Sequence, residues 1–225
     1  MAKKTSRQSI EKRLNRAFNS MNSGDMEDTL YHIAPVFDVI AKERYPEIKS
    51  VGERIKSYIL DEQDLIYYLS MQGLYKIPKG LQIAIVDDEN ISQPPPNVQH
   101  IKSHAGQLSD YIYHNIRCAQ SHDAEIDYDV IDLGRNFGIG RERFVNDGGE
   151  LSAGKFIVSN STIIAMILVL IASPELKRIR LSGHFNMFGK ISIDKQKLAG
   201  NRVYLEKKLD ALFEKESVVG SSNQT

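Results

Sequence analysis

The sequence is short of most features that assign a protein quickly. It holds a single cysteine, Cys118, so no disulfide closes within the chain, which fits a reducing compartment. Neither charge is in excess: 29 Lys and Arg stand against 29 Asp and Glu. That balance excludes a wholesale basic nucleic-acid binder. No apolar run is long; Ile163 to Ala172 is about half of the roughly 20 residues a membrane-crossing helix needs. The start, Met1-Ala2-Lys3-Lys4-Thr5-Ser6, leads into polar sequence without the apolar centre of a secretory signal. No internal repeat and no Gly-x-Ser-x-Gly elbow is present, so a serine hydrolase has no support. The address these absences predict is cytoplasmic, with no membrane partner.

What is there is an ordinary globular composition, 41% hydrophobic and 26% charged over 225 residues, enough for one large core. The charge is unevenly spread. Residues 1–16 hold six bases (Lys3, Lys4, Arg7, Lys12, Arg13, Arg16) against Glu11, and Pro174 to Lys215 holds ten bases against five acids. Residues 123–132 hold five acids and no base. Basic ends of this kind are either solvated helix faces or docking points for a phosphate backbone.

Apolar spacing predicts helices over 7–21, over Asp25 to Tyr45, and over Ser50 to Leu69 with Val51, Ile55, Ile59, Leu65 and Leu69 inward. Gln82 to Val86 reads as a strand and Ile91 to Pro96 as a stiff loop. Val98, Ile101, Ala105, Leu108, Ile112, Ile116 and Ala119 then form one stripe of a helix capped by Asn97. Beyond His122 the pattern turns to alternation and glycine, as in short strands, with another at Lys155 to Val158. An apolar helix capped by Asn160 or Ser161 and a lysine-rich helix over Asp194 to Lys215 follow. The expected fold is mainly α with a small β element. Residues 1–215 form a single domain with an N-terminal helical extension, and 216–225 a disordered tail.

Two motifs are weak. Gly138-Ile139-Gly140-Arg141-Glu142-Arg143 suggests a phosphate-cradling loop, but it lacks the last glycine and the apolar helix of a dinucleotide fingerprint, so a hairpin turn is expected. His100 and His104 share a helix face, yet no carboxylate or third ligand accompanies them, so no metal site is assigned.

A third signal stands apart. Tyr113-His114-Asn115-Ile116-Arg117-Cys118-Ala119-Gln120-Ser121-His122 places an arginine, four residues and a histidine at the end of an amphipathic helix. At about 100° per residue, Arg117 lies nearly opposite the apolar stripe, in company with Asp110, Tyr113 and His114. This segment resembles the HEPN superfamily, whose signature is an arginine followed at such a spacing by a histidine near a helix end. Many members carry a polar residue after the arginine, where this chain has Cys118.

The resemblance implies a HEPN-type helical bundle, a homodimer, and a metal-independent endoribonuclease needing no cofactor. It also implies a setting in phage defence or a toxin–antitoxin system, with an antitoxin or regulatory protein as a further partner. Arg117 and His122 would be the catalytic pair, with Asn115, His114 and Tyr113 as substrate-binding neighbours. The chemistry suits the residue types. RNA cut through its 2′-OH leaves a 2′,3′-cyclic phosphate and needs a proton carrier near neutral pH, which imidazole is. A guanidinium forks two hydrogen bonds to the phosphorane oxygens. The alternative is a non-catalytic HEPN scaffold or RNA- or protein-binding module.

Overall fold

The computed structural model describes residues 2–72, 108–110, 112–113, 131–132, 139–145, 151–187 and 191–221. Three helices come first: α1 (Ala2–Asn22), α2 (Met26–Arg44) and α3 (Val51–Gln72). Helix α1 starts earlier than its apolar spacing suggests and ends in a Schellman turn. Gly24 takes φ +83°, its N–H donates to the Met21 carbonyl at 3.1 Å, and the Asp25 N–H donates to that of Ser20 at 2.9 Å. Asp25 serves a second time, since its Oδ1 accepts the Asp28 N–H at 2.9 Å and caps α2. Helix α2 continues through Pro35, a substitution of N–H by ring that costs about 3 kcal/mol in a helix interior. Burial of Leu30, Ile33, Val36, Phe37 and Ile40 offsets it. On α3 the first buried apolar side chain is Ile55; Val51, assigned inward by spacing, is 38% exposed.

The β part comprises β1 (Ile131–Asp132), β2 (Ile139–Val145) and β3 (Leu151–Val158), in the order β1-β3-β2. Strand β3 runs parallel to β1 and antiparallel to β2. Gly140 pairs with Ile157 and Arg141 with Phe156. The glycine stretch expected as a hairpin turn therefore lies inside a strand from Ile139 onward. With a strand after its second glycine and no helix, it is no dinucleotide loop. The predicted strand at Gln82 to Val86 and the loop at Ile91 to Pro96 lie outside the described residues.

Helix α4 (Asn160–Ala172) is apolar around its whole circumference, and only Asn160 and Ile164 escape full burial. A helix of that kind must be enclosed on all sides. It packs against α2, α3 and the last helix. Its cap is Ser159, one residue before the positions predicted, whose Oγ accepts the Thr162 N–H at 3.3 Å. Ser173 and a 3-10 turn at Pro174–Leu176 end it. A hairpin of β4 (His184–Met187) and β5 (Ile191–Asp194) follows.

The single lysine-rich helix expected over Asp194 to Lys215 is two, α5 (Lys195–Leu198) and α6 (Arg202–Ser221). Gly200 divides them at φ +67°, where an added Cβ would lie 2.2 Å from the Lys177 Cα. Only glycine fits there. Helix α6 continues through Ser221, past residue 216 where the sequence suggested a tail.

The fold is mainly α with a small β part. Ile10, Leu14, Ala17 and Phe18 of α1 share one core with the residues of α4, so α1 is a wall of the domain and not an extension from it. Among the described residues no helix is long and apolar enough to cross a membrane.

Candidate functional site

Arg117, His122, His114 and Asn115 lie outside the described residues, as does the pair His100 and His104. Tyr113 is described, together with the stretch leading to it. Leu108–Asp110 is helical, and Ile112 and Tyr113 take π-helical geometry. Leu108 and Ile112, both on the predicted stripe, are fully buried, while Asp110 is exposed. One side of this segment thus faces the core and the other faces out, as the spacing predicted for these residues.

The segment rests on the first half of α3. The Tyr113 ring lies so close to Gly52 that a Cβ there would meet its Cζ at 2.6 Å. The Lys56 ammonium sits 5.5 Å from the centre of the same ring and pairs with Asp110 Oδ1 at 2.5 Å. Tyr113 is therefore half-buried and tied to α3 by packing and charge. Tyr113 stands four residues before Arg117 in the sequence.

Two polar clusters escaped the sequence reading. In the first, Arg44 joins three elements. Its guanidinium grips both Glu175 oxygens at 2.8 and 3.1 Å, gives a 2.7 Å bond to Glu62, and lies 4.6 Å over the Tyr58 ring. The other Glu62 oxygen holds Arg202 at 2.7 Å, and Arg202 reaches Glu206 at 3.2 Å. Burial alone would lower the Arg44 pKa, but the hydrogen bonds to Glu175 and Glu62 outweigh it and raise it. Beneath them the Tyr58 hydroxyl meets Ser173 Oγ at 2.6 Å, and burial pushes its pKa far up. All these charges are matched, which suits a structural lock better than a reacting centre.

The second cluster is on α1 and α2. His32 is 7% exposed, its Nε2 is 3.5 Å from Asp28 Oδ2, and Asp28 also accepts from the Ser20 hydroxyl. The i to i+4 spacing of Asp28 and His32 was the visible signal; their burial was not. Among the described residues no group of three or more His, Cys, Asp or Glu is placed to hold a metal ion.

The basic stretches near the two ends of the chain meet. The Arg180 N–H donates to Glu11 Oε1 at 2.7 Å, and Arg7 and Arg178 line one shallow recess with Glu43 and Glu175.

A family model described as Rv1289 matches residues 9–192, a span that contains both Arg117 and His122. No curated protein and no solved structure matches the chain.

Proposed function

We propose that this chain, which belongs to the Rv1289 family, is a metal-independent endoribonuclease of HEPN type that acts as a homodimer. The observation that carries the reading is Arg117 followed after four residues by His122, at the end of an amphipathic segment. Burial of Leu108 and Ile112 against exposed Asp110 supports that amphipathic placement at the segment's start. Arg117 falls on the outward side by the same count, away from the apolar stripe. A second protomer docked helix to helix would bring two Arg-His sets around one phosphate.

In that site His122 moves the proton of the 2′-OH, and Arg117 stabilises the charge that develops on the phosphorane oxygens. Tyr113, held by Gly52 and Lys56, and its neighbours His114 and Asn115 orient the strand. The products are a 2′,3′-cyclic phosphate and a 5′-OH. The lone cysteine supports a cytoplasmic setting, and a defence or toxin–antitoxin role fits a ribonuclease held in check by a partner protein.

The purified protein should cut single-stranded RNA in the presence of EDTA. Arg117→Ala and His122→Ala should each abolish the cut, a loss of about 10²–10⁴-fold for positioned acid–base catalysis, with melting profiles unchanged. Cleavage that survives both substitutions sinks the reading. The meeting of the two basic stretches favours a second reading, an RNA-binding module without catalysis, whose mark is RNA held and never cut.

A further inference from the structure

We propose that Arg7, Lys177, Arg178, Arg180 and Lys197 form one docking face for the phosphate backbone of single-stranded RNA. The proposal rests on the RNA reading above and names the surface that holds the substrate. These residues lie far apart in sequence, on α1, on the strand-free stretch after the 3-10 turn, and on α5. Four contacts make them neighbours. The Glu11 carboxylate accepts the Arg180 N–H, and Arg7 and Arg178 line the same recess. The Gln196 side chain stitches α5 to that stretch, accepting the Leu181 N–H at 3.1 Å and donating to the Ile179 carbonyl at 3.2 Å. The Lys195 ammonium lies 4.0 Å over the Phe18 ring of α1.

The acids on this face are engaged elsewhere. Glu11 is bound to a backbone N–H, Asp194 accepts those of Gln196 and Lys197, and Glu175 is gripped by Arg44. Glu43 remains at the rim, and Lys197 lies 4.0 Å from Asp194, beyond hydrogen-bonding reach. The five cations are all exposed and outnumber Glu11, Glu43 and Asp194, the acids there that Arg44 does not hold, so the face presents a net excess of positive charge. A phosphate chain answers that pattern by releasing its counterions. An acidic bilayer answers it less well, because among the described residues the exposed large apolar side chains (Tyr31, Val51, Leu60 and Val203) belong to α2, α3 and α6.

The test uses the full chain carrying His122→Ala, so that no RNA is consumed, and a fluorescent single-stranded oligouridylate read by anisotropy. Arg178→Glu with Arg180→Glu should weaken binding about tenfold and reduce the slope of log affinity on log salt by about 1.4, two phosphate contacts. Arg7→Glu alone should weaken it in the same direction, which ties the distant helix to the same face. Lys49→Glu with Lys207→Glu, exposed cations between α2 and α3 and on α6, should change it less than about threefold. The neutral pair Arg178→Gln with Arg180→Gln gives an intermediate loss and guards against a folding defect.

Equal losses from both reversed pairs would mean that net charge alone holds RNA, and the face falls. Unchanged binding after reversal, or binding only to phosphatidylserine vesicles, overturns it as well. RNA held at this face by a wild type that never cuts overturns the ribonuclease reading and leaves the face standing. Unimpaired cutting by the reversed face does the opposite.

Discussion

His32 is buried where an imidazolium would be poorly solvated. Its Nδ1 has no hydrogen-bond partner among the described residues, and Tyr31 meets it edge-on at 5.4 Å. Burial lowers its pKa below the usual 6.5; Asp28 pulls it up, and Arg16 and Arg13 push it down again. The folded chain thus holds this proton less tightly than the unfolded chain. As pH falls below about 6.5 the unfolded state takes up more protons, so stability declines; above that value the contribution is flat. Urea midpoints measured down to mildly acidic pH should drop, and His32→Gln should flatten that limb. An identical acid limb in the variant would rule His32 out as its source. Residue by residue, the candidate site was legible in type and spacing alone. Two of the predicted stripe residues, Leu108 and Ile112, are inward as read, because a helical period fixes a face. The Gly52 and Lys56 anchor of Tyr113 was hidden, because nothing in a linear pattern says which distant helix a tyrosine will rest on.

Among the elements, the ion-pair chain through Arg44 ties α2, α3 and α6 to the turn after α4. Glu62 is its hinge point, with a side chain only 6% exposed and an arginine on each oxygen. Glu62→Ala should cost about 3 kcal/mol, the low end for a broken buried pair because Glu175 still holds Arg44. Glu206→Ala, at an exposed partner of Arg202, should cost below about 1 kcal/mol. Denaturant titrations of the two variants check the contrast, and equal losses would contradict a buried lock. None of this was readable, since the partners stand as many as 140 residues apart. The helices themselves were readable: the α2 and α4 boundaries fall within a residue or two of those predicted from spacing, proline and capping groups. The break at Gly200 was not, because its need for glycine comes from the Lys177 backbone pressed against it. Gly140 misled in the reverse sense, since it was read as part of a turn and pairs with Ile157 across β2 and β3.

For the whole molecule the ribonuclease proposal requires two copies. Sedimentation should give twice the mass of one chain, and Arg117→Ala should leave that assembly intact while removing cleavage. A monomer at every concentration would dismantle the composite site. The enclosed position of α4 also sets a timetable on the ribosome. Helices α1 to α3 are joined by short turns and can close on one another as soon as they emerge. The face of α3 that α4 covers must wait for the hundred residues from Gln72 to Ala172, roughly 5–20 s at ordinary elongation rates. Through that interval the nascent chain carries a half-finished apolar wall, and the segment that finishes it, Ile163 to Ile171, is itself the stickiest stretch in the sequence. Misassociation is therefore concentrated in one brief window of synthesis, which is when a chaperone that holds exposed apolar chain has most to offer this protein.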